Sequence, residues 1–192
     1  MMKKKKLGIA AALFLIVLGL AWFIFVRQSL PSDVEVGLNS ATDLKLLSID
    51  PDEYDVDGHE IIFKADEPHI LGYRILGETL ISSPDVRSKV IGEVNAIVAH
   101  GNKFSSLLCF NPRHDIRFTF KGSIYDLLIC YHCQNMEILK DGVGQPSIGI
   151  SGSSDQFNTI LKNANVPLPV RAHRKVTSDR SNPVQSPTQS KP

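Results

Sequence analysis

Apolar and polar residues follow three different rhythms along this chain of 192 residues. The first is continuous. Residues 7–26 carry no ionisable side chain. As a helix rising about 1.5 Å per residue, they reach roughly 30 Å, the thickness of a bilayer's hydrocarbon core. A core helix of that length would keep a polar face toward water. A cleaved signal peptide has a shorter apolar region, about 7–15 residues, that ends in a small-x-small site. Here the run ends Trp22-Phe23-Ile24-Phe25-Val26-Arg27, and the first cysteine is as distant as Cys109. The pattern therefore predicts an uncleaved transmembrane anchor over 7–27. Lys3, Lys4, Lys5 and Lys6 precede it and only Arg27 follows it closely, so the positive-inside rule puts residues 1–6 in the cytoplasm and the rest outside.

The second rhythm is strand-like. Residues 44–49 form a strand candidate stopped by Asp50-Pro51, because proline cannot continue a ladder. Residues 69–81 are extended, with Gly72 and Gly77 suggesting a bend or bulge. Residues 116–120 alternate strictly, and Lys121-Gly122-Ser123 turns the chain into a long apolar run from Ile124 to Leu139. That run exceeds an ordinary strand of about 3–10 residues, so it should break near Cys130–Cys133. Asp141-Gly142 is a hairpin signal, and 148–150 can return as a short strand.

The third rhythm is helical. Ser82-Ser83-Pro84 offers capping serines and a proline suited to the first turn. Val86, Val90, Ile91, Val94, Ile97 and Val98 then recur at three- and four-residue spacing until His100-Gly101. A last helix, capped from Ser153-Ser154-Asp155, would run through Phe157, Ile160 and Leu161 and end before Pro167. These elements predict an α+β domain over 44–169, a small antiparallel sheet with helices packed on one face. Residues 28–43 read as a linker. Residues 170–192 read as a disordered basic and polar tail, with too few large apolar residues to offset its ordering entropy.

Charge changes the picture. The net charge is only +1, but ten of the 21 Lys and Arg lie in the N-terminal segment and the tail. Residues 31–170 keep 11 of them against 19 Asp and Glu, a net of −8. A nucleic-acid partner needs a basic face and this domain has none in sequence. The expected partners are the membrane, through the N-terminal helix, and a protein or envelope component, with the basic tail suited to a polyanionic surface.

Chemistry concentrates in two blocks, Cys109-Phe110-Asn111-Pro112-Arg113-His114 and Cys130-Tyr131-His132-Cys133. Cys109, His114, Cys130 and Cys133 are the right donors for a zinc site, although Cys109-x4-His114 is loose and no glycine follows Cys133 to help a knuckle turn. In an extended strand, Cys130 and Cys133 would face opposite ways about 10 Å apart, so a shared metal or disulfide requires a bend at Tyr131-His132. The bland reading is buried structural cysteines. Thiol-redox chemistry would want the pair at a helix start, which is not apparent here. A cysteine nucleophile with His114 or His132 as base, or Arg113-His114-Asp115 as an acid–base group, requires contacts that spacing cannot supply. The acidic stretch 53–58 opens like a calcium loop, but its twelfth position is Lys64 where a bidentate acid is needed.

The Cys-Phe-Asn-Pro-Arg-His block, followed by a strand pair and Cys-x-x-Cys, resembles a group of uncharacterised bacterial proteins that are often secreted or membrane-attached. The resemblance spans roughly 71–139 and implies a family without an activity. The sequence expectation is thus a membrane-tethered extracytoplasmic binding or structural module. The alternative is a thiol-redox or zinc enzyme built on the Cys/His cluster, with Arg113 and His132 as further candidates.

Overall fold

The computed structural model describes residues 28–51, 66–101 and 110–169. The anchor and basic end, the acidic stretch with Lys64, Cys109 and the tail lie outside the described residues. Among the described residues no helix is long and apolar enough to cross a membrane.

Among the described residues, three helices and eight strands form a small α+β unit: α1 (Ser32–Ser40), β1 (Lys45–Asp50), β2 (His69–Ile70), β3 (Tyr73–Leu80), α2 (Pro84–Ala99), β4 (His114–Phe120), β5 (Ser123–Cys130), β6 (Asn135–Lys140), β7 (Val143–Gly144), β8 (Ile148–Gly149) and α3 (Asp155–Asn163). The sheet runs β2-β3-β1-β4-β5-β6-β7, with β8 also paired to β6, and the pairings are antiparallel. Three hairpins turn on two left-handed residues each: Leu71-Gly72, Lys121-Gly122 and Asp141-Gly142. Such turns match the right-handed twist of the flanking strands. The bulge suggested by the glycines of 69–81 is present, since Ser48 pairs with Gly77 but Ile49 with Ile75, leaving Leu76 extra.

The strand alternation works as expected on one face. Leu46, Ile116, Phe118, Tyr125, Leu127, Ile129, Met136 and Ile138 share a buried cluster with Val34 and Leu38 of α1, Val90, Val94, Ile97 and Val98 of α2, and Phe157 and Leu161 of α3. The apolar stripe read along α2 is the stripe that packs. The opposite face holds a smaller cluster of Leu47, Ile49, Ile70, Leu128 and Leu139.

Two expectations need correction. The segment 28–43 is not a plain linker: it contains α1, with Val34 and Leu38 buried and Leu30 and Ala41 joining the core. Here α1 lies so close to β4 that a Cβ on Gly37 would come within 2.7 Å of Phe118 Cε2. Only glycine lets the helix backbone approach the strand this closely. The serines, for their part, cap only weakly with their side chains: Ser153 Oγ accepts the Asp155 N–H at 3.5 Å. Ser83 and Ser154 hold the N-cap positions of α2 and α3, but neither makes a side-chain cap hydrogen bond. The α2 start rests instead on Pro84 in the first turn and on Asp85, an acid placed where the helix dipole favours it.

Candidate functional site

His114 opens β4 and points into the helix-covered core. Its ring is 1% exposed and stands edge-on to Tyr131, centroids 5.9 Å apart, with Phe157 of α3 at 5.7 Å. Its Nε2 lies 3.0 Å from Asn158 Oδ1, and Asn158 Nδ2 donates to Ser154 Oγ at 3.0 Å. Because Asn158 presents its oxygen, Nε2 carries the proton and donates, which leaves Nδ1 as a lone pair. That lone pair is buried without a hydrogen-bond partner, as is Ser48 Oγ, which belongs to the residue directly across the β1–β4 ladder. Burial, opposed by the Asn158 bond, pulls the imidazole pKa down to about 4, so the ring is neutral.

The Cys-x-x-Cys segment is the expected break. β5 ends at Cys130, residues 131–134 turn, and β6 begins at Asn135. The chain thus bends at Tyr131-His132, and the Cys133 N–H donates to Cys130 Sγ at 3.1 Å. Gln134 takes the left-handed conformation, φ 52°, that a glycine would hold most easily after the second cysteine. Both cysteines are fully buried, whereas His132 is exposed on the turn. Arg113 is half-buried, and its N–H donates to the Ile129 carbonyl.

These groups do not converge into a ligand set. Among the described residues no group of three or more His, Cys, Asp or Glu is placed to hold a metal ion. His114 instead meets Asn158, Tyr131 and Phe157, and Cys109 lies outside the described residues.

Asp115, grouped in sequence with Arg113 and His114 as an acid–base set, lies on the opposite face of β4 from His114. Asp115 of β4 is fully buried, and neither carboxyl oxygen reaches a partner with hydrogen-bond geometry. Burial and then the neighbouring Asp126 raise its pKa well above the usual carboxylate range, so it holds a proton. Asp126 itself accepts from Arg117 Nε at 2.5 Å. The register places Arg117 opposite Asp126 and Asp115 opposite Leu128. The strict alternation of 116–120 assigns odd positions to this face without showing that the face is buried.

An open concavity lies elsewhere. A groove of about 620 Å³ opens between α2 and α3 beside the end of β3. Leu80, Ile81, Val86 and Ile160 give it an apolar lining, with Ser83, Lys89 and Thr159 at its polar edge. Gln156 Nε2 donates to the Lys89 carbonyl at 2.7 Å and ties the two helices together. No histidine or cysteine lines the groove. The groove thus combines apolar area with hydrogen-bonding groups and two charged side chains, Lys89 and Asp155.

The chain matches no protein-family model, no curated protein and no solved structure. The functional reading therefore rests on these residues alone.

Proposed function

We propose that this chain is a membrane-tethered extracytoplasmic binding module without catalysis of its own, and that the α2–α3 groove is its contact surface. One observation carries the reading. The thiols of Cys130 and Cys133 and the imidazole of His114 are sealed in the interior, while the groove that opens to solvent is lined by apolar and polar groups, Lys89 and Asp155 among them, and by no histidine or cysteine. An enzyme of the thiol or acid–base kind needs its nucleophile in a cleft, within hydrogen-bond reach of a base.

The extracytoplasmic placement comes from 7–27 and the lysines before it, and it has a direct test. Trypsin added outside intact spheroplasts should clip the tail at Arg171, Arg174 and Lys175. Clipping only after lysis would put the domain inside and overturn the placement.

A second reading is supported by the Cys130–Cys133 turn. A sulfur accepting the N–H of the second cysteine, followed by a left-handed residue, suits a two-thiolate knuckle for zinc, as the donors require. Metal analysis of the dialysed full chain decides between the two. The binding reading predicts far less than one zinc per chain, whereas stoichiometric zinc removable by chelator would favour the knuckle.

A further inference from the structure

The way the chain enters the domain fixes more than its attachment. Leu30 is already a core residue, 6% exposed and packed in the helix-side cluster. Only Arg27, Gln28 and Ser29 separate it from Val26, the last residue of the apolar run. Fully extended, four Cα steps cover about 14 Å. The headgroup layer of one leaflet takes up about 5–8 Å of that. With 7–26 taken as the anchor, the tether leaves no room for a stalk, and that reading sets whatever surrounds the start of α1 near the headgroups.

What surrounds it is one end of the sheet. Asp33, in the first turn of α1, accepts from Tyr125 Oη at 2.9 Å. Tyr125 pairs with Lys140, and Lys140 with Val143, so the β4–β5 and β6–β7 turns share this end. Val143 is two strands from Tyr125, about 10 Å away. Four of the large apolar side chains the domain leaves in solvent lie toward this end: Val36 (53% exposed), Ile124 (46%) and Val143 (64%), with Leu80 (54%) at the end of β3. Lys121 lays its ammonium over the Phe120 ring at 5.1 Å, an arrangement suited to an interface that is apolar below and wet above. Leu71, also half-exposed, sits in the β2–β3 turn at the opposite end and makes a natural control.

We infer that this end of the sheet, with Val36, Ile124 and Val143, rests on the surface of the bilayer and sets the orientation of the domain. The inference builds on the anchor reading. The short tether and the apolar contacts hold the end down, because cations do not outnumber carboxylates there: Asp33, Glu35, Asp43 and Asp141 stand against Lys121 and Lys140, Lys45 is paired with Glu78, and Arg27 lies in the tether. Asp33 is held ionised chiefly by the Tyr125 hydroxyl and Asp141 by the Ile124 N–H. The surface it fits is thus one of zwitterionic lipid.

The test uses the full chain in phosphatidylcholine vesicles with acyl chains brominated near the headgroup. Trp22→Phe removes the native tryptophan, and single tryptophans are then placed by Val143→Trp, Ile124→Trp and Leu71→Trp. All three positions are solvent-exposed, so each variant should fold. The chain should float with the vesicles, with emission from positions 143 and 124 strongly quenched and emission from 71 unaffected. Adding phosphatidylserine should lessen the quenching. Flotation without quenching at 143, or equal quenching at 71, overturns the docking while leaving the anchor intact. Quenching that grows with phosphatidylserine overturns its neutral-lipid character. A chain that fails to float overturns the anchor, and the docking with it.

Discussion

On the face that carries the helices, β4 places Ile116 and Phe118 among aromatic and aliphatic neighbours, and its one ionisable residue there, His114, is kept neutral. On the opposite face the same strand places Asp115 and Arg117, beside Asp126, with Leu47 and Leu128 as the apolar neighbours in register. The helix side buries area and avoids charge. The other side buries charge and manages it, by the Arg117–Asp126 pair and by protonating Asp115. A buried ion pair is a poor source of stability, and an unpaired buried carboxylate is costly enough to take up a proton instead. Stability should therefore reside on the helix face, and sensitivity to pH should come from both faces with opposite signs.

The largest effect expected from this contrast is a truncation on the helix face. Phe118 is fully buried and stacked on Tyr125 with ring centroids 5.3 Å apart. Phe118→Ala should lower the unfolding free energy by about 3–5 kcal/mol. Ile124→Ala, at the exposed end, should stay within about 0.5 kcal/mol. Denaturant melts of the full chain in micelles would show both, and equal losses would erase the distinction.

Next comes acid. His114 is neutral in the fold, with its pKa depressed from 6.5 to about 4. The unfolded chain binds this proton more readily, so stability is full above pH 6.5 and falls as pH drops through the folded value. The loss should total about 3 kcal/mol by pH 4. His114→Gln should flatten that slope, and a slope unchanged by the substitution would remove His114 as its source.

The smallest effect has the opposite sign. Asp115 binds its proton more tightly folded than unfolded, so its contribution is full below the ordinary carboxylate pKa and declines as pH rises. Asp115→Asn removes the need for that proton and should raise the melting point at pH 8, by on the order of 1 kcal/mol in stability. Equal destabilisation at pH 4 and pH 8 would mean that Asp115 has a packing role instead.

The same contrast marks what could be read from the sequence. The α2 stripe, the break at Cys130–Cys133 and the Lys121-Gly122 and Asp141-Gly142 turns were legible, because each is a local pattern with a local cause. α1 was not. Its two buried apolar side chains, Val34 and Leu38, are one pair at i and i+4, too short a run to show a period, and Gly37 argues against a helix unless Phe118 is already in place. The His114–Asn158 bond joins residues 44 apart, and only the packing of α3 brings them together. Asp115 was read with Arg113 and His114 as an acid–base group, but strand alternation turns it away from His114, and alternation separates two faces without saying that both are buried. Gln134 in the left-handed conformation shows the converse: the missing glycine after Cys133 did not prevent the turn.

The central claim, a binding module whose thiols are structural, is tested most directly by thiol reactivity. The folded full chain would be exposed to a maleimide and each cysteine-containing peptide followed by mass spectrometry, with the denatured chain as reference. Cys130 and Cys133 should stay unmodified in the fold and label fully once it is unfolded. Labelling of either in the folded chain at the denatured rate would place a reactive thiol at the surface and contradict the account.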